Sequence, residues 1–220
     1  MNAKSPTPRP CLYVIAGPNG GGKSSIVGAM VLEAGSDYFN PDVESKRIRD
    51  ENPNISESDA NSMAWRLGKS ILERAIREQK TFAFETTLGG NTIPSLLAAA
   101  VERGLLLKIW FISLATADLH IQRVRSRVAK GGHDIPEAKI RERFERGRAN
   151  LLRLLPKTTE LRLFDNSLDA DPDQGVAPEP LLVLHIREGR VVQTCDAAKT
   201  PNWAKPIVEL AMKIDENRQP

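Results

Sequence analysis

Apolar and polar residues follow one another in short blocks along this chain. Leu12-Tyr13-Val14-Ile15-Ala16 is a continuous apolar run, the pattern of a strand covered on both faces. After a glycine-rich stretch, helical spacing predicts a helix over about 23–34, with Gly35 as its stop. Tyr38-Phe39 is a brief apolar piece leading to Asn40-Pro41-Asp42. A short helix over 43–51 ends at Asn52-Pro53. A long helix is predicted over 58–79, with Met63, Leu67, Ile71, Ala75 and Ile76 as its buried face and Ser56 as its N-cap. Residues 81–84 read as a buried strand ending in Glu85-Thr86-Thr87, and a helix over 95–103 closes at Gly104. The run 105–114 is almost wholly apolar, as in a central parallel strand.

Two cationic helices follow, over 117–129 and 136–155, separated by Lys130-Gly131-Gly132-His133-Asp134-Ile135-Pro136. The second places Ile140, Phe144, Gly147 and Leu151 on one face. A strand over 161–164 comes next, then a loop over 169–180 rich in Asp, Pro and Gly. A hairpin over 181–194, turning at Arg187-Glu188-Gly189-Arg190, is expected at a sheet edge, and an amphipathic helix over 203–214 follows.

Strands alternating with helices predict an α/β fold with a mainly parallel sheet and helices on both faces. The 220 residues fit one domain over 11–215, flanked by a short disordered leader (1–10) and a tail (216–220). The leader holds three prolines and no apolar segment, unlike a secretory signal. No apolar run reaches the length of about 18 residues that a membrane span needs. Two cysteines, Cys11 and Cys195, suggest a reducing, cytoplasmic setting rather than a disulfide framework. Three scattered histidines give no zinc-site spacing.

The chemistry begins at Gly17-Pro18-Asn19-Gly20-Gly21-Gly22-Lys23-Ser24-Ser25. Gly17, Gly22, Lys23 and Ser24 satisfy G-x-x-x-x-G-K-[ST], between a predicted strand and a predicted helix. Such a loop turns its N–H groups toward a phosphate, and the helix start adds a positive dipole end. Lys23 is expected to reach the outer phosphates of a nucleoside triphosphate and Ser24 to ligate Mg²⁺. In open α/β sheets, ligands bind beyond the carboxyl ends of the strands. The glycine loop, Asn40-Pro41-Asp42 and Glu85-Thr86-Thr87 each follow a predicted strand, so all three should meet in one crevice.

Phosphoryl transfer to a hydroxyl needs a group to take or orient its proton. Asp42 is the first candidate; Glu85 is the alternative, or holds the acceptor. Thr86 and Thr87 either donate to the acceptor or cap the loop. Residues 121–150 contain nine Lys/Arg against four Asp/Glu, within a chain of net charge +3. Arg127 and Arg141 flank the Gly131-Gly132 break, with Arg148 next, and are candidates to stabilise the transferred charge from a hinged lid over about 125–150. The same cations also fit a nucleic-acid surface or a solvated helix face. Aromatic content of only 5% leaves few stacking platforms for single strands. A nucleotide-controlled switch without transfer chemistry is a third reading; the Asn-Lys-x-Asp base-reading motif of GTPases is absent.

The combination resembles the zeta-toxin family of P-loop kinases. The resemblance rests on the glycine loop, Asn40-Pro41-Asp42, and Phe84-Glu85-Thr86-Thr87-Leu88. It extends to Arg127 through Pro136, Lys139-Ile140-Arg141-Glu142-Arg143-Phe144, and Phe164-Asp165-Asn166-Ser167. It implies a three-layer P-loop kinase core with a helical arginine lid, using ATP and Mg²⁺. It also implies a small-molecule acceptor, UDP-N-acetylglucosamine in the toxins of the family, and a separate antitoxin chain where one exists. By motif position Asp42 would be the general base, Lys23 the phosphate clamp, Glu85 and Thr86 the acceptor contacts, and Arg127 and Arg141 the lid arginines. Pro41-Asp42 stands where plasmid-borne toxins often carry Gly-Asp, so the chain looks more like the chromosomal, stand-alone relatives.

Overall fold

The computed structural model describes residues 9–35, 38–132, 134–168 and 179–218. Of the expectations above, most of the leader, His133, the loop at 169–178 and the last two tail residues lie outside them. One seven-stranded sheet organises the described residues, in the order β2-β3-β1-β4-β5-β6-β7. β1 (Cys11–Ala16) sits between β3 (Phe82–Thr86) and β4 (Leu106–Ser113), parallel to both. β2 (Tyr38–Phe39) and β5 (Glu160–Asp165) extend the parallel part on either side. β6 (Leu181–Arg187) and β7 (Arg190–Thr194) add an antiparallel hairpin at one edge. All six β1 residues are buried, as an apolar strand between two layers requires.

The helices are α1 (Ser24–Ala34), α2 (Pro41–Glu51), α3 (Glu57–Glu78), α4 (Thr92–Glu102), α5 (Ala117–Ala129), α6 (Glu137–Leu154) and α7 (Lys205–Glu216). They split the apolar residues into two layers. Leu12, Val14, Leu107, Ile109 and Phe111 pack with residues of α3, α4, α6 and α7. Tyr13, Ile15, Trp110 and Ile112 pack with Ile26 and Met30 of α1. Alternate residues of β1 and β4 therefore face opposite layers, as the two-residue period of a strand dictates.

Three local expectations change. The helix predicted from residue 43 begins at Pro41, because Asn40 caps it and proline fits the first helical position. Asp42 therefore sits in a first helical turn rather than in a loop. β3 runs on through Glu85 and Thr86, which close the strand rather than follow it. In α3, Met63 and Leu67 are 46% and 41% exposed, while Ala60 and Ala64 are fully buried. These alanines form a small cluster with Ile48 and Ile55. α2 lies close over this part of α3, so small residues occupy the contact and the larger side chains sit at its margin.

Candidate active site

The loop between β1 and α1 is held from three directions. Its first residue, Gly17, has φ 140° and donates its N–H to the Thr86 carbonyl at 3.2 Å. A Cβ there would lie 1.9 Å from the Ile112 carbonyl oxygen, so the crossing over β4 admits only glycine. Behind the loop stands His120 of α5, fully buried. Its Nε2 accepts from the Leu114 N–H at 3.1 Å, which puts the ring proton on Nδ1, donating to the Asn19 carbonyl at 2.8 Å. Burial, reinforced by the Lys23 and Arg123 charges, pushes its pKa down to about 4 and keeps the imidazole neutral. Asn166, at the end of β5, donates to the Gly21 carbonyl at 3.1 Å. Its neighbours complete a brace: Asp165 accepts from the Trp203 indole at 2.7 Å, and Ser167 Oγ from the Ala115 N–H at 2.7 Å.

Lys23 is 7% exposed and folds back on the loop. Its ammonium donates to the Gly17 and Pro18 carbonyls at 3.0 and 3.2 Å and pairs with Glu85 Oε1 at 3.4 Å. Ser24 opens α1 and is exposed. The preceding Lys23 makes no side-chain cap, and the first turn of α1 carries no acidic residue. The positive end of the helix thus meets the loop with no acidic side chain of its own first turn to neutralise it. A glycine cradle, an uncapped helix start and a buried lysine fit a polyphosphate with a divalent cation at the Ser24 hydroxyl. For Ser25, only its place in α1 is described.

Beside the loop lies a cavity of about 430 Å³. Asn19, Asp42, Glu85, Thr86 and Thr87 all line it, so the three polar clusters do meet at the carboxyl end of the sheet. Phe39, Trp65 and Ile93 form an apolar wall, and Lys139, Arg143 and Arg146 of α6 face it. Gly147 lets α6 come this close: a Cβ there would stand 2.8 Å from the Thr87 carbonyl. Glu85 is gripped on both oxygens. Lys23 meets Oε1, while the Tyr38 hydroxyl and the Asn40 amide donate to Oε2 at 2.8 and 3.1 Å. Burial, then the Glu85 charge, hold the Tyr38 phenol protonated, with its pKa raised well above the usual range.

The lid cations divide by position. Arg143 donates to the Asn19 side chain at 2.7 Å. Burial presses its pKa down, and the nearby charge of Asp42 opposes this. Arg141 instead pairs with Asp118 at 2.6 Å and is 53% exposed. Arg127 lines a separate open cleft of about 530 Å³ with Arg123 and Lys130, and Arg148 lies over the Phe144 ring. Neither Arg127 nor Arg141 borders the cavity; Arg143 and Arg146 do. Much of the charge on the two helices is also internally paired: Arg125 with Glu137, Lys139 and Arg146 with Glu142, Arg148 with Glu145. Such pairing leaves less net attraction for nucleic acid than the cation count suggests. Sequence reading passed over Arg143, His120, Tyr38 and Trp65. Arg143 stands within the family-like stretch Lys139 to Phe144 and beside Phe144 of the buried face of α6, but the sequence pointed to Arg141 of the same stretch as the lid arginine.

An uncharacterized protein of Haemophilus influenzae is 28% identical over 132 residues, which is 58% of this chain and 88% of that one. The solved complex of AvrRxo1-ORF1 with AvrRxo1-ORF2 matches with a TM-score of 0.63 at 17% identity, covering 94% of this chain and 71% of that one. The same complex solved with ATP matches at 0.63 and 19%, and there this chain spans 65% of the relative's length. A structure from the PezAT chromosomal toxin-antitoxin system of Streptococcus pneumoniae matches at 0.54 and 12%, over 99% of this chain and 90% of that one. At such identities these structures establish the shared fold. Among the described residues no helix is long and apolar enough to cross a membrane. The zeta-toxin family pattern matches residues 1–167, a span holding the loop, both carboxylates, both cationic helices and β5. The chain belongs to the zeta-toxin family.

Proposed function

We propose that this protein is an ATP-dependent kinase that transfers the γ-phosphoryl group to a hydroxyl of a small molecule. The observation that carries this is the meeting of Asp42, Glu85 and Arg143 around one cavity at the phosphate loop, with Lys23 paired to Glu85 from the loop side. Family membership supports it, as does the ATP-bound relative of the same fold. ATP with Mg²⁺, when bound, supplies an activated phosphoryl group whose charge is partly neutralised. Gly17 through Ser25 hold the polyphosphate, and Ser24 is the metal-facing hydroxyl. Lys23 exchanges the Gly17 and Pro18 carbonyls for phosphate oxygens. Asp42 takes the proton from the acceptor hydroxyl; it lines the cavity from the first turn of α2. Glu85 and Thr86 orient the acceptor at the end of β3. Arg143 places a half-buried guanidinium beside the loop, where charge spreads over the transferred group. Arg127 and Arg141 join the phosphates only if α5 and α6 shift as a lid about Gly131-Gly132.

The acceptor we propose is a sugar nucleotide, UDP-N-acetylglucosamine being the first to test. Trp65 and Phe39 offer faces for a flat ring, and Arg146 and Lys139 suit a diphosphate. Relatives solved as two-chain complexes suggest a separate antitoxin partner for this chain too. We also propose a cytoplasmic location, where ATP would be at hand for the reaction. Asp42→Asn should lower transfer by about 10² to 10⁴ while ATP affinity stays within about threefold. Full transfer by this variant would remove Asp42 as the base.

A further inference from the structure

The geometry points to Asn40 as the positioning residue that fixes both acceptor-site carboxylates at once, Asp42 through the start of its helix and Glu85 through a direct hydrogen bond. This rests on the phosphotransfer reading of the site. Asn40 stands at the N-cap of α2, with extended backbone. Its Oδ1 accepts from the Asp42 N–H at 2.8 Å and the Val43 N–H at 3.3 Å. Those bonds settle which end of the amide is which, since only the oxygen can accept. The nitrogen must then face the other way, and it donates to Glu85 Oε2 at 3.1 Å. One rigid planar amide therefore ties the first turn of α2 to the end of β3.

The choice of amide carries the inference. Asp, Ser and Asn cap helices about equally well. Of these only Asn presents a donor opposite its capping oxygen. Glu85 needs that donor. Lys23 occupies Oε1, and Oε2 is left to Tyr38 and Asn40. When Lys23 turns to phosphate, the Oε2 bonds remain to hold the carboxylate in place. Asp42 moves with the helix that Asn40 starts, so the spacing between the two carboxylates is set through one side chain.

The test compares Asn40→Ser, Asn40→Asp and Tyr38→Phe with wild type. Phosphoryl transfer is measured with γ-labelled ATP and Mg²⁺, using UDP-N-acetylglucosamine as acceptor and release to water as the second readout. Thermal unfolding and binding of a fluorescent ATP analogue are measured alongside. Asn40→Ser and Asn40→Asp keep a capping oxygen and lose the amide N–H₂ that reaches Glu85. Both should lower kcat about tenfold or more, Asn40→Asp more strongly because it sets a second carboxylate against Glu85. Tm for Asn40→Ser and nucleotide affinity should stay near wild type. Tyr38→Phe, which leaves Asn40 in place, should cost less than either. Wild-type kcat in both Asn40 variants would mean that the residue only caps, and would overturn the inference. A loss of kcat that merely tracks a loss of Tm would overturn it too. Wild-type protein inactive toward every hydroxyl, water included, would remove the kinase reading and this inference with it. That failure is distinguishable because it appears before any substitution is made.

Discussion

His120 ties the phosphate loop to α5, and replacing it should cost stability in a pH-dependent way. The imidazole is fully buried, accepts from Leu114 N–H and donates to the Asn19 carbonyl. His120→Leu keeps most of the volume but strips the Leu114 N–H and the Asn19 carbonyl of their partner, and removes the Ser113 hydroxyl's 3.2 Å contact with Nε2. A buried polar group left unpaired costs about 1–3 kcal/mol, so the variant should lose about 2–6 kcal/mol at neutral pH by the same rule. The wild-type acid response adds a second signature. The folded-state pKa of about 4 lies below the usual histidine value near 6.5. Between those two values the unfolded chain binds a proton that the folded chain does not. The stability due to neutral His120 is therefore complete above about pH 6.5 and falls as pH drops toward 4, by about 1.4 kcal/mol per unit. Chemical unfolding of wild type and His120→Leu at intervals from pH 7.5 to 4.5 measures both effects. Glu160 contributes in a lower window. Burial raises its pKa, but Arg162, the His185 hydrogen bond, Lys108 and Arg187 outweigh this and hold it low. Its stabilisation is present above about pH 4.3 and lost as pH falls further. Equal pH slopes for wild type and variant between 6.5 and 4.5 would refute the assignment of a neutral, loop-bracing His120.

Two further substitutions probe the lid. Arg143→Ala should lower transfer by about 10²-fold or more, the scale for removing a group aimed at developing charge, whereas Arg141→Ala, which breaks an exposed pair with Asp118, should change stability by less than about 1 kcal/mol and transfer far less than Arg143→Ala. Steady-state transfer assays on the two variants check this ordering. Gly147→Ala sets a Cβ 2.8 Å from the Thr87 carbonyl and should push α6 away from the end of β3, destabilising by about 1–3 kcal/mol as read in thermal melts, with weaker binding of both substrates.

How far the sequence carried varies with how local the cause is. The glycine loop and β1 were legible because turn chemistry and apolar runs act within a few residues. The meeting of Asp42 with Glu85 was legible too, since clusters at the ends of parallel strands converge by topology. What escaped depends on neighbours far away in the chain. Periodicity made Met63 and Leu67 core residues, but α2 covers the alanine side of α3 instead. Arg141 and Arg143 differ by two residues, which is about 200° around a helix. Which of them faces the site is set by how Gly147 seats α6 against Thr87. His120 is a lone histidine whose partner Asn19 lies 101 residues away. Asn40 was legible as part of a turn, but not as a tie to Glu85.

On the proposed function, the cavity beside the phosphate loop receives a hydroxyl acceptor. The most direct measurement is to incubate the protein with γ-labelled ATP, Mg²⁺ and a panel of sugar nucleotides, nucleosides and metabolites, then identify labelled products by mass spectrometry. One acceptor class, sugar nucleotides first, should gain a single phosphoryl group on a hydroxyl, with the product lowered about 10²-fold or more for Asp42→Asn. ATP hydrolysed to free phosphate with no labelled acceptor, or label equally abundant with Asp42→Asn, would contradict it.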